Sequence, residues 1–240
     1  ESWEDVTPAG AGPTPRFAAA AAYDARRGRV VLFGGFGPRA NGDTWEWDGR
    51  RWTRAAPSGL RPEPRLEAQM VFDGSRGRVL LFGGISSSED GLTDVWAFDG
   101  DAWTEVAAGT QLPGELATAP VVWDAARGRA VKVGALPGDA TLSTWAFDGA
   151  RWSDLAPTGP RPPSRSGHQL VYDSDARELV LLGGADASGP RMDLWRFDGV
   201  VWRPATPSAG LGFSRVDALA TWAPEKGAVW VHGGQAPSRP

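Results

Sequence analysis

Cysteine is absent from all 240 residues. That excludes a disulfide scaffold, a thiolate zinc site and a cysteine nucleophile. It leaves the compartment open, since a stable secreted domain needs no disulfide; cytoplasmic and secreted locations both fit. Long apolar runs are missing too. FAAAAAY at 17–23 is the longest, far short of a membrane span. Strong charge of either sign is also lacking. A net charge of -4 and a pI near 5.3 give no reason to expect nucleic acid or an anionic membrane surface as partner. The chain begins at Glu1 without a signal peptide and reads as a trimmed or excised piece.

What the chain does have is glycine (32), proline (20) and tryptophan (13) within an ordinary globular composition of 41% hydrophobic and 22% charged residues. This pattern predicts many short strands joined by tight turns. The motif W-x-x-D-G-x-x-W occurs four times, in WEWDGRRW, WAFDGDAW, WAFDGARW and WRFDGVVW. Its first tryptophans, Trp45, Trp96, Trp145 and Trp195, are 51, 49 and 50 residues apart. Glycine doublets keep the same beat at Gly34-Gly35, Gly83-Gly84, Gly183-Gly184 and Gly233-Gly234, with Gly134-Ala135 in the third copy. Arg16, Arg65, Arg165 and Arg215 each follow a tryptophan by 13 residues, and Leu116 takes that place after Trp103. This is a true internal repeat.

Each unit reads as four strands. Strand a runs from the arginine (RFAAAAAYD, RLEAQMVFD), a turn leads into the apolar strand b (RVVLFGG, RVLLFGG), strand c carries the first tryptophan, and Asp-Gly turns the chain into strand d. Aspartate and glycine tolerate the positive φ of tight hairpins. Strand b is apolar on both faces, as in a sheet packed between two like sheets. Four-stranded antiparallel units repeating every 50 residues mark a β-propeller. With the glycine doublet, the aspartate before the strand-c tryptophan (Asp43, Asp94, Asp193) and the P-x-P-R or P-x-S-R lead into strand a, the chain resembles the Kelch family over essentially its whole length. The expected fold is all-β, a single β-propeller domain over residues 1–240. Its blade repeats fall near 16–56, 65–107, 116–156, 165–206, and 215–234 plus 1–8. In each blade the two tryptophans are expected to fill the gap to a neighbour.

The last unit has strands a and b but neither c nor d. ESWEDVTPAG aligns with RRWTRAAPSG, so the N-terminus supplies a strand d and the ring counts about five blades. For the missing strand c the tail stands in, or the blade has a gap, or a partner or further segment completes it.

Function is expected at the mouth formed by the loops before strand a and between strands b and c, which vary in length while the strands do not. The resemblance places the residue two after the arginine in the channel mouth: Ala18, Glu67, Thr118, Gly167 and Asp217. Two further on stand Ala20, Gln69, Pro120, Gln169 and Leu219. Glu67 and Asp217 are the candidate pair for acid–base work or for gripping a cation or sugar hydroxyls; the bland alternative is two solvated channel residues. Loop residues Arg39, Arg61, Arg161 and Arg191, set against Glu67, Asp139, Asp186 and Asp217, suit a mixed-charge ligand. The ligand-binding candidates are thus Glu67, Gln69, Thr118, Gln169, Asp217, Arg39, Asp186 and Arg191. Lys132 replaces a strand-b leucine and reads as a snorkelling or paired lysine. His168 stands where Kelch repeats often have a histidine and reads as a structural hydrogen-bonder. His168 and His232 are weak metal candidates, without metal-type spacing. No cofactor is expected. Galactose oxidase shares the Kelch propeller but needs a cysteine cross-linked to a tyrosine, and the iron-dependent specifier proteins use a Glu-x-x-x-Asp-x-x-x-His run that this chain lacks.

Three functions fit. The first is a binding module presenting the mouth to a protein, peptide, glycan or small polar ligand. The second is a non-redox isomerase, lyase or cyclase using Glu67 and Asp217. The third is a purely structural or engineered ring.

Overall fold

The computed structural model describes residues 5–6, 10, 12–106, 112–206 and 216–235. The described residues are all-β apart from two single-turn 3-10 helices, Gly114–Leu116 and Pro224–Lys226. It packs as two compact units, residues 1–118 and 119–240. Among the described residues, three four-stranded antiparallel sheets and a fourth that adds the short strand Gly189–Pro190 to its four form the blades of a β-propeller arrangement, two in each unit.

The first blade is Ala20–Asp24, Arg29–Phe33, Thr44–Trp47 and Trp52–Ala55; the second is Gln69–Asp73, Arg78–Phe82, Val95–Phe98 and Trp103–Glu105. In the second unit, the third blade is Val121–Asp124, Arg129–Gly134, Ser143–Phe147 and Trp152–Asp154, and the fourth is built on Ser166–Asp173, Glu178–Asp186, Leu194–Phe197 and Trp202–Ala205. After them come strands a and b of a further unit, Val216–Ala223 and Ala228–Gln235, paired antiparallel. The expected returning strand d around Trp3 lies outside the described residues.

Strand b is the core of each blade. Leu80, Leu81, Val131 and Val180 have no accessible surface, because both faces of these strands are covered. The strand-d tryptophan does bridge to the preceding blade. Trp103 donates its indole N–H to Thr44 Oγ1 at 3.0 Å and meets Phe33 edge-on, and Trp202 donates to Thr144 Oγ1 at 3.0 Å. The strand-c tryptophan of the first, second and fourth blades does something different: its N–H is held within its own blade by the aspartate two residues earlier.

Two local expectations are corrected. Strand a does not run unbroken from the arginine. Ala18 (φ 52), Glu67 (φ 56) and Gly167 (φ 63) all sit in the left-handed region, a bulge that breaks the ladder two residues past each arginine. In the second blade Arg65–Leu66 therefore pairs separately with Ile85–Ser86. At the Asp-Gly turns only the glycine has positive φ (92 to 112°). The aspartate works through its side chain, accepting backbone N–H bonds from the residues two and three ahead (Arg50 and Arg51 on Asp48, Asp101 and Ala102 on Asp99). Those donors hold Asp48, Asp99 and Asp198 below the ordinary carboxylate range.

Candidate functional site

The repeated charges belong to the scaffold. Arg16, Arg65 and Arg165 each grip the aspartate before the strand-c tryptophan with two nitrogens. Each also donates to the first carbonyl of its blade's glycine doublet and, from Nε, to the carbonyl two residues upstream (Thr14, Glu63 and Pro163). The Arg65 and Arg165 side chains are fully buried. The same aspartates accept the indole N–H of Trp45, Trp96 and Trp195 at 2.7–2.8 Å. Burial would raise Asp43 and Asp193. The hydrogen bonds and charge of Arg16 and Arg165, with the indole donors, outweigh it and hold both carboxyls below their usual range.

The glycine doublet fits this geometry. A Cβ on Gly34 would stand 2.6 Å from the Arg65 carbonyl oxygen, and one on Gly83 would stand 2.3 Å from that of Ala117. Both glycines also have positive φ, so no other residue fits without strain.

The third repeat drops the device as a set. Leu116 replaces the arginine, Ser143 the aspartate and Ala135 the second glycine, and the Trp145 indole nitrogen is buried without a hydrogen-bond partner. Lys132 on its strand b is not snorkelling. It is fully buried and donates from Nζ to the Ala119 carbonyl at 3.0 Å, and burial pushes its pKa down to about 7. His168 is buried with Nε2 3.1 Å from the Val133 carbonyl, so Nε2 carries the proton and donates. Burial lowers its pKa to about 4, keeping the ring neutral at physiological pH.

The remaining sequence candidates scatter. Glu67 is exposed at the strand-a bulge, Gln69 and Gln169 are half-buried along strand a, and Thr118 is half-buried in the turn that follows the 3-10 helix Gly114–Leu116, before the third blade's first strand begins at Val121. The Asp217 side chain lies outside the described residues, as does Arg215. Asp186 and Arg191 hold each other across the b–c hairpin of the fourth blade, Nε donating at 2.7 Å. The Arg191 bonds, with the Ser188 backbone N–H, keep Asp186 below its usual range. His232 is exposed on the strand Ala228–Gln235, and no group of three or more metal-type ligands occurs among the described residues.

No family model matches the sequence, and no protein of curated function does. In fold the chain is similar to the solved structure of YjhT. The TM-score is 0.66 over 90% of this chain and 72% of that one, at 18% identity. At that identity the likeness speaks for the architecture alone.

One recess stands out in the first unit. A cleft of about 570 Å³ lies between the first blade's b–c loop, the end of its strand d and the loop leading to the second blade. Arg39, Arg54 and Arg61 line it, with Asn41, Thr44, Asp43, Ala55, Pro57 and Pro64 among the other wall residues. All three arginines are exposed, and none is in an ion pair or gives a side-chain hydrogen bond among the described residues. Asp43 is the wall's one carboxylate, and Arg16 already neutralises it at 2.6 and 3.2 Å. The b–c loop is firmly held: Asn41 N–H donates to the Gly35 carbonyl (2.8 Å), Arg65 N–H to the Asn41 carbonyl (3.2 Å), and Gly37 N–H to the Arg39 carbonyl (3.1 Å). Sequence reasoning singled out Arg39 and Arg61 as loop cations. It missed Arg54, which sits in strand d where no loop pattern points to it.

Proposed function

We propose that the chain is a Kelch-type β-propeller of about five blades forming one domain, its ring closed by the N-terminal strand d beside the C-terminal strands a and b, and that it acts as a binding module. The loop ends of the blades present a site to a protein, peptide or glycan ligand. The observation that carries this reading is the division of labour among charges. The repeated Arg–Asp pairs are consumed by the scaffold, while among the described residues the arginines of the first-blade cleft are exposed and make no ion pair or side-chain hydrogen bond. An open polar recess on a rigid framework suits recognition.

The enzymatic reading through Glu67 and Asp217 has one feature in its favour, the strained φ of Glu67. Ala18 and Gly167 share that conformation at the same repeat position, so the strain belongs to the strand-a bulge and not to a reacting carboxylate.

The test is backbone NMR of the labelled protein against panels of oligosaccharides and peptides. Binding should move resonances clustered in residues 36–64. A panel in which no member perturbs any loop resonance would remove the reading, and turnover of any member would replace it with the enzymatic one.

A further inference from the structure

Comparison of the four blades separates what the scaffold requires from what one blade has added. Counting four residues back from the position of the Arg-paired aspartate, the first blade has Arg39, and the other three have Asp90, Asp139 and Gly189. Two residues past the strand-d tryptophan, the first blade has Arg54, and the others have Glu105, Asp154 and Pro204. The first and third b–c loops are equal in length from doublet to Ser143 or Asp43, so Arg39 and Asp139 correspond without a gap. The fold is therefore indifferent to charge at both positions. Where the second and third blades carry two acids, the first carries two arginines and adds Arg61 from the next loop.

These residues line one cleft. Three guanidinium groups without carboxylate partners set a positive potential there in a protein whose net charge is -4. Each guanidinium offers a planar fork of N–H donors that matches an oxyanion with two parallel bonds. Placed on a clamped loop, a strand and a proline-flanked loop, the three forks approach from different elements of the wall. A single planar carboxylate can be gripped in one plane, whereas a tetrahedral oxyanion presents oxygens to several directions at once.

We propose that this cleft binds a multiply charged tetrahedral oxyanion, the phosphate or sulfate group of a small ligand, with Arg39, Arg54 and Arg61 as the gripping residues. The proposal rests on the binding-module reading of the same site and names the chemistry that the site selects. About 570 Å³ accommodates such a group together with the sugar or other small body that carries it, and the apolar faces of Pro57 and Pro64 flank that space.

The test is isothermal titration at low ionic strength with pyrophosphate, inorganic sulfate and citrate as probes. It uses the wild type, Arg61→Ala, and the charge-reversed Arg39→Asp/Arg54→Glu, which carries the second blade's residues. The variants should keep the wild-type melting temperature, because the replaced side chains are exposed and make no ion pair or side-chain hydrogen bond among the described residues. Pyrophosphate or sulfate should bind one to one, more tightly than citrate. Affinity should fall roughly tenfold on loss of Arg61 and beyond detection in the charge-reversed variant, and it should weaken as salt rises. Citrate binding as tightly as pyrophosphate would overturn the tetrahedral preference. No binding of any probe, or binding that survives charge reversal, would overturn the oxyanion site itself. In that case a neutral oligosaccharide or peptide that still moves residues 36–64 in the NMR panel would leave the binding module standing, and an empty panel would remove both.

Discussion

Lys132→Met should make the protein more stable. Lys132 is one of only two lysines in the chain, and it lies fully buried where the first, second and fourth blades carry Leu32, Leu81 and Leu181. Burial brings its pKa from 10.5 down to about 7. At about 1.4 kcal/mol per pH unit, that difference sets an upper bound of about 5 kcal/mol on what folding costs while the unfolded amine is charged. The unfolded chain keeps this proton up to its ordinary pKa, and the folded protein loses it near 7. Between those values the unfolded state binds more protons, so stability rises with pH from about 7 to about 10.5; the penalty is complete below 7 and gone above 10.5. Methionine has similar length and no charge. Allowing for the lost bond to the Ala119 carbonyl and for imperfect packing, the gain at pH 7 should be about 2–4 kcal/mol. For a domain of this size that is a rise of roughly 4–16 °C in Tm. Thermal melts of both proteins at half-unit steps from pH 6 to 10.5 read the effect directly. Lysine-selective carbon labelling should show the Lys132 Cε signal titrating near 7. The reasoning fails if the variant melts at or below the wild type at pH 7, or if its stability climbs with the same slope through the window.

Other outcomes follow from the repeat network. Asp94→Asn should cost about 3–5 kcal/mol by leaving the buried Arg65 guanidinium without its counter-charge, read as a lowered denaturation midpoint. Gly83→Ala should cost at least about 3 kcal/mol, because its Cβ would meet the Ala117 and Leu92 carbonyls at 2.3 and 2.9 Å. Gly49→Ala, at positive φ with open space, should cost about 1 kcal/mol by the same melt. The His168 ring should show no titration between pH 8 and about 5 by nitrogen-detected NMR. Because the unfolded state takes up that proton first, stability should fall as pH drops from 6.5 through about 4, by up to about 3 kcal/mol in total.

The sequence carried the architecture because the architecture is written in short-range signals. Asp48-Gly49, the strand-c tryptophans and the Gly34-Gly35 step recur at a fixed period, and each answers a local need of the backbone. Strand order and pairing followed from that period. The bulge at Ala18 and Glu67 did not, because nothing in R-F-A-A or R-L-E-A marks a left-handed residue; packing imposes it after the chain is assembled. The Arg–Asp–Trp linkage was visible only as three separate landmarks, since its members lie up to 31 residues apart (Arg65 to Trp96) and meet only in the folded blade. The cleft was half legible. Arg39 and Arg61 stand in loops, where function is expected, whereas Arg54 looks like an ordinary exposed strand residue until the fold brings it to the same wall.

The third repeat bears on how such a chain can change over time. In the intact blades, a lone arginine or a lone aspartate of the linkage would be a charge stranded in the interior. A lineage that loses one member therefore passes through a less stable chain before losing the second. Leu116, Ser143 and Ala135 stand beyond that valley, and return is as hard as departure, because a first step back to arginine or aspartate reintroduces the stranded charge. Such reciprocal dependence acts as a ratchet. Nominally equivalent units therefore diverge in steps and not by gradual drift.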